Sequence, residues 1–235
     1  MPMTPKSITT FPVRHSWPVS LSEAAALQRR LAPLIRTRRF CAGVRLLAGA
    51  DAAYLPEKDL ALGAAVVWDA EQGEIVEQTW ASVPVTFPYR TGFLTFREAP
   101  ALLAALARLT LTPQVFLFDG QGRAHPRGLG LAVHAGLWLN APSIGCAKTR
   151  LVGTYKPPGS KKGDTSGLFY QNKKVGSVVR TRTGIKPVFV SPGHLMDVAG
   201  AVRVVLSAGA GFRQPEPLRQ AHLLANRLRA RFRDE

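Results

Sequence analysis

The spacing of apolar residues changes repeatedly along the chain and predicts alternating strands and helices. Leu27, Leu31 and Leu34 recur every three to four positions after Ser20, which stands in capping-box order with Glu23. This predicts an amphipathic helix over 20–31, ended or bent by Pro33. Residues 44–54 (VRLLAGADAAY), 60–68 (LALGAAVVW) and 74–83 (EIVEQTWASV) are short runs parted by turn-like EKD and DAEQG segments, which predicts three strands of an antiparallel meander. A Pro-Tyr loop at 84–91 leads into a second helix, where Thr95 and Glu98 again have capping-box spacing ahead of Leu102, Leu103 and Leu106. Residues 115–118 form a buried strand meeting the Asp119-Gly120 turn, 131–139 a helix and 142–147 a second buried strand; such alternation favours parallel pairing. The segment 156–167 (KPPGSKKGDTSG) has no apolar residue and predicts a solvated loop. Strands over 175–179 and 188–190 and helices over 195–207 and 217–231 complete the order. The fold class is therefore α/β, a mixed sheet with helices on both faces.

Composition narrows this picture. The 235 residues, 46% of them apolar, suffice for one core, and a single domain spanning 1–235 is expected. Lys and Arg total 31 against 15 Asp and Glu, a formal charge of +16 that favours polyanionic partners through Coulomb attraction and counterion release. A plain solubility surface would carry the same signature, and the basic stretch 227–233 reads as a solvated helix face. Cys41 and Cys146 lie far apart, no Cys/His cluster has zinc spacing, and both cysteines are expected in the core. The N-terminus lacks the apolar run of a signal peptide, and no stretch has the length of a membrane helix; the best run, 99–109, is broken by Arg108. No membrane partner is expected, and a reducing cytoplasm fits.

The candidate chemistry is acidic. Asp51 is the one acid in an otherwise apolar first strand, and Asp119 ends the fourth strand. Neighbouring strands of a mixed sheet would bring both to one edge, with Glu98 near the start of the intervening helix. Carboxylates from separate elements make an oxygen-rich site suited to Mg²⁺, which polarises a phosphodiester and orients water. Each acid has an ordinary explanation as well: a turn pair for Asp119-Gly120, a helix cap for Glu98, an arginine partner for Asp51. The combination weighs more, because a charge in an apolar strand is costly unless compensated.

The motifs LLAGADAAY (46–54), PYRTGFLTFREAPALL (88–103), FDGQGRAHPRGLGLAVHAGL (118–137), PSIGCAKTRLVG (142–153), VSPGHLMDV (190–198) and PEPLRQAH (215–222) together resemble the endonuclease V family, in family order over most of the chain. The element order also matches that family's ribonuclease H-like fold. The resemblance implies a Mg²⁺-dependent DNA repair endonuclease (Mn²⁺ substituting) that recognises deaminated bases, chiefly deoxyinosine. It implies hydrolysis of the second phosphodiester 3′ to the lesion, leaving 3′-hydroxyl and 5′-phosphate ends. It assigns the metal to Asp51 and Asp119, a third acidic role to Glu98, transition-state charge to Lys148 and a place near the water or metal to His222. Nucleic-acid contacts fall to Pro88, Tyr89 as a wedge, Gly92, Leu94, Arg97, Gly120, Gly122, His125 on the backbone, Leu131 and Leu151. Single- or double-stranded deoxyinosine DNA is the expected partner of a monomer, and inosine RNA stays open. Two departures stand out: Pro88-Tyr89-Arg90-Thr91 replaces Pro-Tyr-Ile-Pro, which frees a backbone N–H, and Gln121 replaces the histidine of Asp-Gly-His-Gly.

Overall fold

The computed structural model describes residues 15–41 and 43–234, so the expectation about the extreme N-terminus lies largely outside the described residues. Helix α1 (Leu21–Leu31) has the expected start: the Ser20 side chain accepts from the Glu23 N–H while the Glu23 carboxylate accepts from the Ser20 N–H. A 3₁₀ turn at Ala32–Leu34 follows, as Pro33 requires.

Strands β1 (Leu46–Leu55), β2 (Leu60–Asp69) and β3 (Glu74–Pro84) form the antiparallel meander. Helix α2 (Leu94–Leu106), strand β4 (Val115–Phe118), helix α3 (Leu131–Leu139) and strand β5 (Ser143–Ala147) follow, with β4 parallel to both β1 and β5. Strands β6 (Thr165–Tyr170), β7 (Lys173–Val179) and β8 (Val188–Pro192) are antiparallel additions, and helices α4 (Val198–Ser207) and α5 (Glu216–Asp234) close the chain. The sheet order is β3-β2-β1-β4-β5-β8-β7-β6, a ribonuclease H-like mixed sheet.

Alternation along β1 sorts its side chains between two cores. Ala48 and Ala50 join α2 and α3 on one face, with Phe116 and Phe118 of β4. Leu47 packs towards α4 with Val115 and Leu117, and Ala53 and Leu55 pack towards α5. Helices therefore cover both faces, as expected. Two glycines let helix backbones touch the sheet. A Cβ on Gly49 would sit 2.1 Å from the Pro217 carbonyl oxygen of α5, and one on Gly63 would sit 2.2 Å from the Ala101 carbonyl oxygen of α2.

Three local expectations need correction. Thr95 and Glu98 form no capping box: α2 begins at Leu94, Phe93 holds the cap position without a side-chain bond, and Thr95 is buried in the first turn. The loop over 156–167 ends early, because Thr165 opens β6; the hairpin to β7 turns through Gln171 and Asn172, both left-handed at φ 50° and 60°. That is primed-turn geometry on an unusual residue pair. Finally Cys41 is exposed, and Cys146 alone is buried.

Candidate active site

Register brings the two aspartates together. Ala50 of β1 pairs in parallel with Phe118 of β4, so Asp51 and Asp119 each lie one residue past a matched pair. Parity sends both to the face covered by α5, which carries His222. One oxygen of each aspartate and one imidazole nitrogen lie within 4.8 Å of one another. Asp51 is nearly buried; its Oδ2 lies 2.7 Å from His222 Nδ1, and its Oδ1 accepts from the Ala52 N–H at 2.9 Å. Asn226 donates to His222 Nε2 at 3.0 Å, which assigns the imidazole hydrogen to Nδ1 and makes His222 the donor to Asp51. Asp119 Oδ2 accepts from Lys148 Nζ at 2.8 Å and from Gln214 Nε2 at 3.1 Å.

Burial, reinforced by the charge of Asp119, holds the Asp51 carboxyl above the usual carboxylate range, against the pull of His222 and the Ala52 N–H. Glu98 comes from α2, on the other face. Burial first, and then the charges of Asp51 and Asp119, push it up to about 8. Beside it the Tyr54 hydroxyl is buried against Glu98, and burial, then the Glu98 charge, raise the phenol above its ordinary range.

Two clefts meet here. One, of about 580 Å³, is lined by Asp51, Tyr54, Asp119, Lys148, His222 and Arg229 among others. The second, of about 410 Å³, is walled by Gly92, Leu94, Gly120, Gln121, His125, Leu131 and Leu151, with Tyr89 at its rim. Asp119 and Lys148 belong to both clefts. Tyr89 is 64% exposed.

Other expected contacts fall elsewhere. Gly122 lines neither cleft; a Cβ there would meet the Pro192 carbonyl oxygen at 2.3 Å, and its N–H donates to Ser191 Oγ at 2.7 Å, so it is a packing glycine. Pro88 is exposed outside both clefts. Arg97 stacks over the Tyr54 ring at 4.5 Å and donates to the Phe87 carbonyl at 3.0 Å, bracing the start of α2. His125 was expected on the nucleic-acid backbone, yet both its nitrogens are engaged within the chain: Nε2 donates to the Gly92 carbonyl at 3.0 Å and Nδ1 accepts from the Arg127 N–H at 3.2 Å. Burial pushes His125 down to about 4, so the neutral ring is the stable form.

Sequence reasoning missed Gln214 and Asn226, because neither has meaning until α5 is laid on β1. It also missed Tyr54, although that residue sits inside the quoted first-strand motif. Gln121, noted only as a departure, ties the loop after β5 to the cleft through a 2.9 Å bond from Nε2 to the Thr149 carbonyl; its Oε1 is buried without a partner.

One aspartate within β1 and one just past the end of its parallel neighbour β4, in a ribonuclease H-like sheet and with a lysine on the second, form a candidate nuclease centre. Comparison with known proteins agrees. The family model described as Endonuclease V matches residues 29–223. An endonuclease V from Myxococcus xanthus is 48% identical, over 91% of each chain. The crystal structure of endonuclease V from Streptomyces avermitilis superposes with a TM-score of 0.87 at 38% identity, over 94% of this chain and 97% of that one. Ciona intestinalis endonuclease V in complex with a 24mer DNA containing an inosine followed by a ribo-adenosine gives a TM-score of 0.80 at 26% identity, over 90% and 98% of the two chains. The chain belongs to the endonuclease V family, and with it to the DNA repair endonucleases that act on phosphodiester bonds.

Proposed function

We propose that this endonuclease recognises hypoxanthine in DNA and hydrolyses the second phosphodiester 3′ to it, leaving a 3′-hydroxyl and a 5′-phosphate. The observation that carries this reading is the sharing of Asp119 and Lys148 between the two clefts. A base held in the smaller cleft leaves its own strand within reach of the carboxylates in the larger one. The inosine-containing DNA bound by the Ciona relative supports the choice of base.

The donor set fits a hard divalent cation. Two carboxylate oxygens and an imidazole stand within 4.8 Å, and oxygen-rich sets of this kind suit Mg²⁺, with Mn²⁺ as a substitute. Asp51 and Asp119 would hold it. The chemistry such a cation supplies when bound is neutralisation of phosphoryl charge and a more acidic water. His222 donates to Asp51, which orients that carboxylate. Lys148 offsets charge on the scissile phosphate once substrate draws it from Asp119. Glu98 stands as the third acid behind Asp51.

In the smaller cleft, Gly92 and Gly120 let the main chain approach a flat ring, and Leu94, Leu131 and Leu151 give it an apolar bed. Tyr89, at the exposed rim, is placed to stack where the base has left the helix. Inosine RNA is a second reading, favoured by the ribo-adenosine after inosine in the Ciona complex. The test is cleavage of deoxyinosine and inosine oligonucleotides, single- and double-stranded, with Mg²⁺ and with chelator. Equal cutting of inosine and adenosine single strands would sink base recognition by the cleft.

A further inference from the structure

A third cavity, of about 540 Å³, lies beyond His125, between the end of α1, the loop after β4 and the β6–β7 hairpin. Arg123, Arg127 and Lys173 line it, and none of its described lining residues is acidic. Arg127 is committed: it donates to Gln28 Oε1 and, at 2.6 Å, to the Gly92 carbonyl. Arg123 is not. Its Nε and Nη2 are buried and meet no acceptor in the chain. These two N–H groups form the side-on fork of a guanidinium, the geometry that grips two oxygens of an oxyanion. A buried charged fork with no acceptor is costly in a finished structure. Both nitrogens are closed off from solvent, so a small swing of the side chain towards the cavity it lines lets an anion complete the fork, and Lys173, exposed on the hairpin, lines the same cavity.

The three cavities also share walls in sequence. Asp119 and Lys148 join the carboxylate cleft to the base cleft, and His125 joins the base cleft to this cationic cavity. We propose that the Arg123–Lys173 cavity is a backbone phosphate subsite for the strand on the 5′ side of the recognised base, away from the scissile bond. The assignment rests on the reading that the smaller cleft holds the base and that cleavage falls 3′ to it. Arg123 grips the phosphate through its fork and Lys173 adds charge from the hairpin, while neutral His125 separates base from phosphate. The chemistry recognised is that of a phosphate oxyanion, and the strand rather than a free ion is its source.

Binding of single-stranded inosine oligonucleotides tests this, using one strand with a 5′ flank and one with inosine as its 5′-terminal nucleotide. R123M keeps the volume of the stem and removes the fork; K173A changes an exposed residue and guards against misfolding of the first variant. Each is expected to weaken the flanked strand roughly tenfold and to make the log–log salt slope shallower by about 0.7. The ratio of flanked to trimmed affinity should collapse accordingly. Wild-type affinity of both variants for the flanked strand, or equal losses on both strands, would overturn the subsite. Inorganic phosphate that raises the melting temperature of wild type but not of R123M, with no dependence on the 5′ flank, would assign the cavity to a free anion and overturn the strand. A wild-type chain that binds these strands with flank dependence yet cuts neither would sink the cleavage reading and leave the phosphate contact standing.

Discussion

Asp119 is held from two sides, because its Oδ2 accepts from both Lys148 and Gln214 while Asp51 stands across from it. Asp119→Asn keeps the shape and removes the anion. Cleavage should fall to background while melting temperature and strand binding survive; undiminished cutting in Mg²⁺ would remove Asp119 from the site. Lys148 is exposed enough to leave Asp119 for a phosphate, its side chain being 38% accessible. Lys148→Ala is therefore expected to lower kcat by roughly 10²–10³ and binding far less, in the range of a lost transition-state donor; equal losses in both would make it a plain phosphate contact. Tyr89 is solvent-exposed. Tyr89→Ala should reduce preference for inosine over adenosine with little change in melting temperature, and a large fall in melting temperature would mark a packing role instead.

At the scale of elements, the site depends on how closely α5 lies on β1. Gly49 makes that approach possible, since a Cβ would lie only 2.1 Å from the Pro217 carbonyl oxygen. Gly49→Ala must push the start of α5 outward, and His222 lies five residues beyond Pro217, about a turn and a half along the same helix. The expected outcome is a loss of about 1–3 kcal/mol of stability in urea unfolding together with impaired cleavage, because the His222–Asp51 bond is stretched. A fully stable, fully active variant would show that the helix start yields freely. The elements were mostly readable beforehand. The capped 3.6-residue pattern over 20–31 and the apolar runs at 60–68 and 131–139 foretold α1, β2 and α3 nearly to their ends. The Thr95–Glu98 spacing misled because capping-box residues recur wherever Thr and Glu are common in a first turn. β6 was missed because it follows a long polar segment, has only partial alternation, and turns through Gln171-Asn172 rather than a glycine pair.

For the whole molecule, two properties follow from summed small terms. A chain of formal charge +16 should bind single strands with a steep log–log salt slope, near −4 for about six phosphates; a slope near zero would make the basic residues mere solvation. Stability should also fall in acid. His134 is fully enclosed beneath Trp17 and Phe96, and burial, with the nearby His15, pushes it down to about 3. Between pH 6.5 and 3 the unfolded chain therefore takes up a proton that the folded chain refuses, and stability declines through that window as pH falls. His125, down to about 4, acts in the same sense. From pH 7 to 5 one such histidine removes about 2 kcal/mol. Melting temperature should drop accordingly, and less steeply in His134→Gln; an unchanged slope in that variant would acquit the buried ring.

The sequence by itself determined the element order apart from β6, the two faces of the sheet and the candidate acids, because periodicity and an uncompensated charge in an apolar strand are local signals. Family motifs added Lys148, His222 and the residues of the base cleft. Only the tertiary structure decided which of these meet. Parallel register set Asp51 beside Asp119, the packing of α2 put Glu98 on the opposite face of the sheet, and the docking of α5 supplied Asn226, with Gln214 from the loop just before it. Gly122 went to packing, and both nitrogens of His125 went to the protein's own backbone. The cationic cavity takes Arg123 from the quoted 118–137 motif, but its other walls, the end of α1 and the β6–β7 hairpin, lie far from that motif along the chain. Contacts of that kind come from chain crossings, and no window of sequence contains them.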